Sequence, residues 1–203
     1  MIESSRLTLP NLLSFFRLGA APVLLLLALA GHRDAWLWLL AACFASDAVD
    51  GTLARLLGQA SRFGAMLDSW ADVTIYAVIA ASLPLLWPDV VRAERVAVLA
   101  LIASFTLPAL AGWIKFRHFT SYHTWLVRLA VVATAAGLYL LLLDISPWPF
   151  RIAAVLAVLA ALEEIAISLV LTEDRSNIAG LVTALRLRRE AKQGARGDAT
   201  RPQ

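Results

Sequence analysis

Long apolar stretches separated by short polar or proline-containing breaks run through this chain from Asn11 to Leu171. Four of them, Asn11 to Ala30, Arg95 to Ile114, Thr124 to Leu143 and Phe150 to Leu171, predict membrane-spanning helices. At about 1.5 Å of rise per residue, each is long enough to cross a hydrocarbon core of about 30 Å. Two more helices are predicted between the first and second of these runs. A turn at Gly31 to Arg33 leads to Asp34 as N-cap of a helix reaching about Leu57. After a small, polar link from Gly58 to Ser61, another helix runs from Arg62 to about Leu83, where Pro84 and Pro88 end it. Pro108 predicts a kink in the fourth helix, and Pro147 with Pro149 a turn after the fifth. The expected fold is thus all-α, a polytopic bundle of six transmembrane helices.

The second and third helices break the apolar pattern with charge. Asp47 and Asp50 are three residues apart and Asp68 and Asp72 four apart, so each pair projects from one face of its helix. Both pairs flank one short connection, with Arg55 between them. Ionisable groups in such apolar surroundings are costly unless paired, hydrated or metal-bound, which points to a functional site rather than to packing. Their oxygens are hard ligands, suited to Mg²⁺, Mn²⁺ or Ca²⁺. Gly51 and Gly64 leave space beside the carboxylates for a ligand or a neighbouring backbone.

The pattern D-x2-D-G-x2-A-R-x8-G-x3-D-x3-D, formed by Asp47, Asp50, Gly51, Ala54, Arg55, Gly64, Asp68 and Asp72, resembles the signature of the CDP-alcohol phosphatidyltransferases at every defined position. The run from Pro10 to Arg17, P-N-L-L-S-F-F-R, is similar to the start of that family's first helix. The resemblance implies displacement of CMP from a CDP-linked lipid donor by a small alcohol, assisted by a pair of Mg²⁺ or Mn²⁺ ions on Asp47, Asp50, Asp68 and Asp72. It gives the base to Asp72 and implies a homodimer. In that scheme Gly51, Ala54 and Gly64 make room for the CDP moiety, and Arg55 pairs with phosphate or fixes an aspartate. Members making glycerol phosphate lipids often carry D-P-x-A-D-K at the last two aspartates. Here Ser69 and Val73 replace the proline and lysine, so serine, inositol and amino alcohols stay beside a phosphorylated alcohol as acceptors.

Other polar positions are open to two readings. Arg17 either snorkels to the interface or helps bind phosphate. The Lys115 to His123 segment is either a positive loop or part of an acceptor pocket in which Lys115, Arg117 and Arg128 hold an anionic alcohol. Adjacent Glu163 and Glu164 cannot both face one neighbour, and one is expected to pair with Arg128 or Arg17. Beyond Leu171, Ile178, Leu181, Val182 and Leu185 recur at helical spacing ahead of Arg186, Arg188, Arg189 and Lys192, which predicts an amphipathic interfacial segment. Residues 1–193 are expected to form one membrane-embedded domain, with 194–203 as a disordered tail.

Composition agrees. The chain has 203 residues, 60% of them hydrophobic, and a mean hydropathy of +0.73, which excludes an ordinary soluble domain. The single cysteine, Cys43, leaves no disulfide framework. Twelve of the eighteen Lys and Arg fall on the side that receives the N-terminus, the Gly58 link, the Lys115 loop and the tail. That side is therefore expected to be cytoplasmic, with the aspartates opening toward it, in an inner or plasma membrane. The net charge of +3 is an orientation signal, and nothing in it suggests nucleic acid.

Three rival readings fit the pattern less well. A secretory signal peptide would fit the first apolar run, ending at Ala28-Leu29-Ala30, except that Arg17 interrupts it. A membrane prenyltransferase also binds a diphosphate with acidic helices, but its clusters lie on distant helices. A cation transporter would place acids in the membrane without needing the D-G-x-x-A-R spacing.

Overall fold

The structure, a computed structural model, describes residues 8–59, 61–116 and 124–170. The described residues form seven helices and no strands: α1 (Leu9–Leu29), α2 (Arg33–Leu56), α3 (Arg62–Leu86), α4 (Pro88–Ala93), α5 (Arg95–Phe116), α6 (Trp125–Leu142) and α7 (Trp148–Val170). They gather into two compact units, one within Met1–Ala93 and the other within Glu94–Gln203. The predicted amphipathic segment, the predicted tail, Arg117 and the histidines of the Lys115 loop lie outside the described residues.

In the first unit α1 packs against both α2 and α3. Small residues allow this: Ala20 and Ala21 of α1 and Ala71 of α3 are buried, so backbones approach closely. Two left-handed glycines set the chain reversals. Gly31 (φ +76°) follows α1, with the His32 N–H donating to the Leu27 carbonyl at 2.9 Å. Gly58 (φ +62°) closes α2, with the Gln59 N–H donating to the Ala54 carbonyl at 2.9 Å. Both follow the C-terminal motif in which a residue without Cβ turns the chain and satisfies the last carbonyls. Ser61 then caps α3, its hydroxyl accepting from the Gly64 N–H at 3.0 Å. At the other end of the unit Trp36 and Trp87 meet edge to face at 5.4 Å, and the Arg33 guanidinium lies over Trp87.

In the second unit α7 packs against α5 and α6 through a buried alanine stripe, Ala153, Ala154, Ala157, Ala160 and Ala161. Thr124 caps α6, accepting from the Val127 N–H at 3.2 Å. Buried Glu94 receives a two-pronged ion pair from Arg151, at 2.9 Å from Nε and 2.7 Å from Nη2.

Several boundaries differ from expectation. Asp34 lies in the first turn of α2 instead of capping it, because the helix already starts at Arg33; an acid there still complements the helix dipole. Pro84 does not end α3, which continues to Leu86 with the Trp87 N–H donating to Leu83 at 2.8 Å. A proline in the last turn removes one bond without unseating those beyond it. Pro88 opens α4 instead of only ending α3, its fixed φ being suited to a first helical position.

Among the described residues five helices are long and apolar enough to cross a membrane, α1, α3, α5, α6 and α7. α2 is as long but carries Asp47, Asp50 and Arg55 in its second half. Many large apolar side chains point outward, among them Leu26, Trp38, Val96, Trp125 and Leu169. This is the surface of a protein solvated by lipid.

Candidate active site

The four signature aspartates converge on Arg17. α2 ends soon after Asp50, the Gly58 turn reverses the chain, and α3 begins at Arg62, so Asp47 and Asp50 face Asp68 and Asp72 across one short connection. α1 supplies the guanidinium. Arg17 Nη1 donates to Asp47 Oδ1 at 2.8 Å and to Asp72 Oδ1. Nη2 donates to Asp50 Oδ2 at 2.5 Å and to Asp68 Oδ1.

Burial is uneven. The Arg17 side chain is 2% exposed and that of Asp50 6%, whereas Asp47, Asp68 and Asp72 are 38, 40 and 35% exposed. The site therefore has a closed floor and an accessible rim. A small pocket of about 10 Å³, room for about one water, is lined by Arg17, Cys43, Phe44, Asp47, Asp72, Ile75 and Tyr76.

Four carboxylates against one guanidinium leave the cluster short of positive charge. Carboxylate oxygens of Asp47, Asp50 and Asp68 lie within 4.8 Å of one another. That spacing suits a single oxygen-liganded divalent cation, whose bonds run from about 2.0 to 2.6 Å. The guanidinium already seated there shows that the oxygens can close on one positive centre, so the residues fit the metal that the signature implies.

Of the two readings of Arg17, snorkelling to an interface does not hold: the side chain is buried and donates to all four aspartates. The signal was present, since a charge inside an apolar helix must find partners. The Arg55 side chain lies outside the described residues.

The glycines divide. Among the described residues nothing lies within 4 Å of where a Gly51 Cβ would stand, whereas at Gly64 a Cβ would meet Asn11 Oδ1 at 2.7 Å. The space beside Gly64 is thus occupied by buried Asn11, a residue that sequence reasoning passed over; its polarity at the head of an apolar helix was the available clue. Ala54 is half-buried near the end of α2.

The proposed acceptor residues lie in the second unit. Lys115 Nζ donates to the carbonyls of Ser168 and Leu169 at 2.7 and 3.2 Å, near the end of α7. Exposed Arg128 stacks over Trp125, 5.5 Å from the ring centre.

Residues 7–172 match the CDP-alcohol phosphatidyltransferase family. The chain belongs to that family. It is 33% identical to a putative cardiolipin synthase of Mycobacterium tuberculosis over 52% of this chain and 63% of the relative. It is likewise 33% identical to a probable phosphatidylglycerophosphate synthase of the same species, over 76% of this chain and 74% of the relative. A shorter match, 44% identical, joins 32% of the chain to 31% of a CDP-diacylglycerol–glycerol-3-phosphate 3-phosphatidyltransferase of Cereibacter sphaeroides. The chain thus spans somewhat under two thirds of the cardiolipin synthase. No solved structure matches it.

Proposed function

We propose that this protein transfers a phosphatidyl group from CDP-diacylglycerol to a small phosphorylated alcohol such as glycerol 3-phosphate, releasing CMP, at the cytoplasmic face of a membrane crossed by α1, α2, α3, α5, α6 and α7. The observation that carries this reading is the convergence of Asp47, Asp50, Asp68 and Asp72 on one cationic position, in a chain of this family.

Mg²⁺ or Mn²⁺ held by the four aspartates would, when bound, neutralise the diphosphate and the departing CMP. Asp72 is the residue assigned to the proton. Its carboxylate takes the proton of the acceptor hydroxyl as the hydroxyl oxygen bonds to the phosphorus bearing the diacylglycerol. The bond from that phosphorus to the CMP oxygen breaks, and CMP leaves with the electron pair. A carboxylate also drawn to a cation is a weak base, so its effect comes mainly from position. Gly51 and Ala54 border the space given to CDP, with Gly64 keeping Asn11 close to it, and Arg55 is assigned to the donor phosphates.

Lys115, Arg117 and Arg128 are assigned to the acceptor phosphate; Lys115 would exchange its carbonyl partners for phosphate oxygens. The names of the relatives support a glycerol phosphate acceptor. They also support a second reading, synthesis of cardiolipin with release of CMP. Family resemblance further implies a homodimer.

The test is CMP release by the purified protein in lipid, given CDP-diacylglycerol, Mn²⁺ or Mg²⁺, and separately glycerol 3-phosphate, phosphatidylglycerol, inositol phosphate, inositol, serine or an amino alcohol. Release with glycerol 3-phosphate, lost in Asp72→Asn, supports the reading. Release with another acceptor alone reassigns the substrate. No release with any of them, and no metal-dependent binding of CMP, overturns it.

A further inference from the structure

We propose that Arg17 and the divalent cation are alternative occupants of one carboxylate seat, so that metal loading must drive the Arg17 guanidinium off the aspartates. This rests on the metal-dependent reading above and adds a competition internal to the chain.

Two observations carry it. The carboxylates in question are shared: Asp47, Asp50 and Asp68, which approach one another closely enough for a cation, each already accept a hydrogen bond from Arg17, as does Asp72. A guanidinium bridging all four leaves no room for a second positive centre among them, and the two would repel.

The seat also fits Arg17 imperfectly. Its Nε is buried and has no hydrogen-bond partner among the described residues, although both Nη groups are engaged. A buried donor left unmade is unfavourable, and displacement lets the whole fork find acceptors.

The competition gives Arg17 two effects. It ties α1 to α2 and α3 through the aspartates when no cation is bound, and it lowers the site's apparent affinity for metal by the fraction of molecules in which it is seated. Arg17 acts here as a positioning residue.

The experiment titrates Mn²⁺ by electron paramagnetic resonance into the full chain in lipid nanodiscs, without nucleotide. It compares the parent protein with Arg17→Ala and Arg17→Lys, using Asp68→Asn to report the site. If Arg17 is seated in nine molecules of ten, Arg17→Ala binds Mn²⁺ about tenfold more tightly. Arg17→Lys, which keeps charge but loses the two-pronged fork, falls between. Low millimolar guanidinium, refilling the seat, weakens Mn²⁺ binding to Arg17→Ala but not to the parent protein. Should Arg17→Ala fold poorly, Mn²⁺ raising its melting temperature more than the parent's supports the proposal, and Arg17→Lys carries the affinity comparison. Mn²⁺ binding weakened by Asp68→Asn yet unchanged or weaker in both Arg17 variants overturns the competition and leaves the metal reading standing. Absence of Mn²⁺ binding in every protein overturns both.

Discussion

Gly64 of α3 lies against Asn11 of α1, so close that a Cβ at Gly64 would stand 2.7 Å from the Asn11 Oδ1. At Gly51 of α2 nothing among the described residues lies within 4 Å of that point. The two signature glycines therefore do different work, and alanine separates them.

In a helix, replacing Gly by Ala stabilises by about 0.5–1 kcal/mol when nothing is in the way. Gly51→Ala should accordingly leave the melting temperature unchanged or slightly raised while raising KM for CDP-diacylglycerol, if the open space is the donor's. At Gly64→Ala the overpacking cost of about 1–3 kcal/mol exceeds the helix gain. The variant should melt lower than the parent protein, with activity reduced as Asn11 is pushed aside.

Removal of the Asp72 carboxylate should lower CMP release by about 10²- to 10⁴-fold, the range of a positioned acid–base group. Chelation of divalent cations should abolish release, and readdition of Mn²⁺ or Mg²⁺ should restore it. Initial rates of CMP release measure both.

Gly137 of α6 provides a purely structural test. A Cβ there would stand 2.8 Å from the Cα and N of Phe150, and backbone cannot rotate aside as a side chain can. Gly137→Ala should destabilise by about 1–3 kcal/mol, read as a lower melting temperature in detergent. Nothing in the aspartate site should change, so residual folded protein should bind Mn²⁺ normally.

Glu94 supplies a pH-dependent term. The hydrogen-bonded Arg151 guanidinium holds its carboxyl below the ordinary value of 4.5. A carboxyl depressed in the folded protein stabilises fully above the unfolded value and loses that contribution as pH falls through the folded one. The melting-temperature difference between the parent protein and Glu94→Gln should therefore be full at neutral pH and shrink below about pH 4.5. A difference independent of pH across that range would remove the ion pair as its cause.

Much of this was legible along the chain because it is local. Apolar run length set α1, α5, α6 and α7, the i,i+3 and i,i+4 spacings put each aspartate pair on one face, and Gly58 with Ser61 marked the turn that brings the pairs together. Proline was the weaker guide: Pro84 and Pro88 looked like stops, and one lies within a last turn while the other starts α4.

The sequence by itself determined an all-helical, lipid-facing chain with four acids on two adjoining helices, since hydropathy, helical period and turn chemistry each act over a few residues. Only the tertiary structure decided which cation those acids hold. Arg55 lies five residues from Asp50, and Arg17 lies thirty from Asp47. A buried charge is satisfied by whatever packing brings within hydrogen-bond reach, and here the packing of α1 against both α2 and α3 brings Arg17.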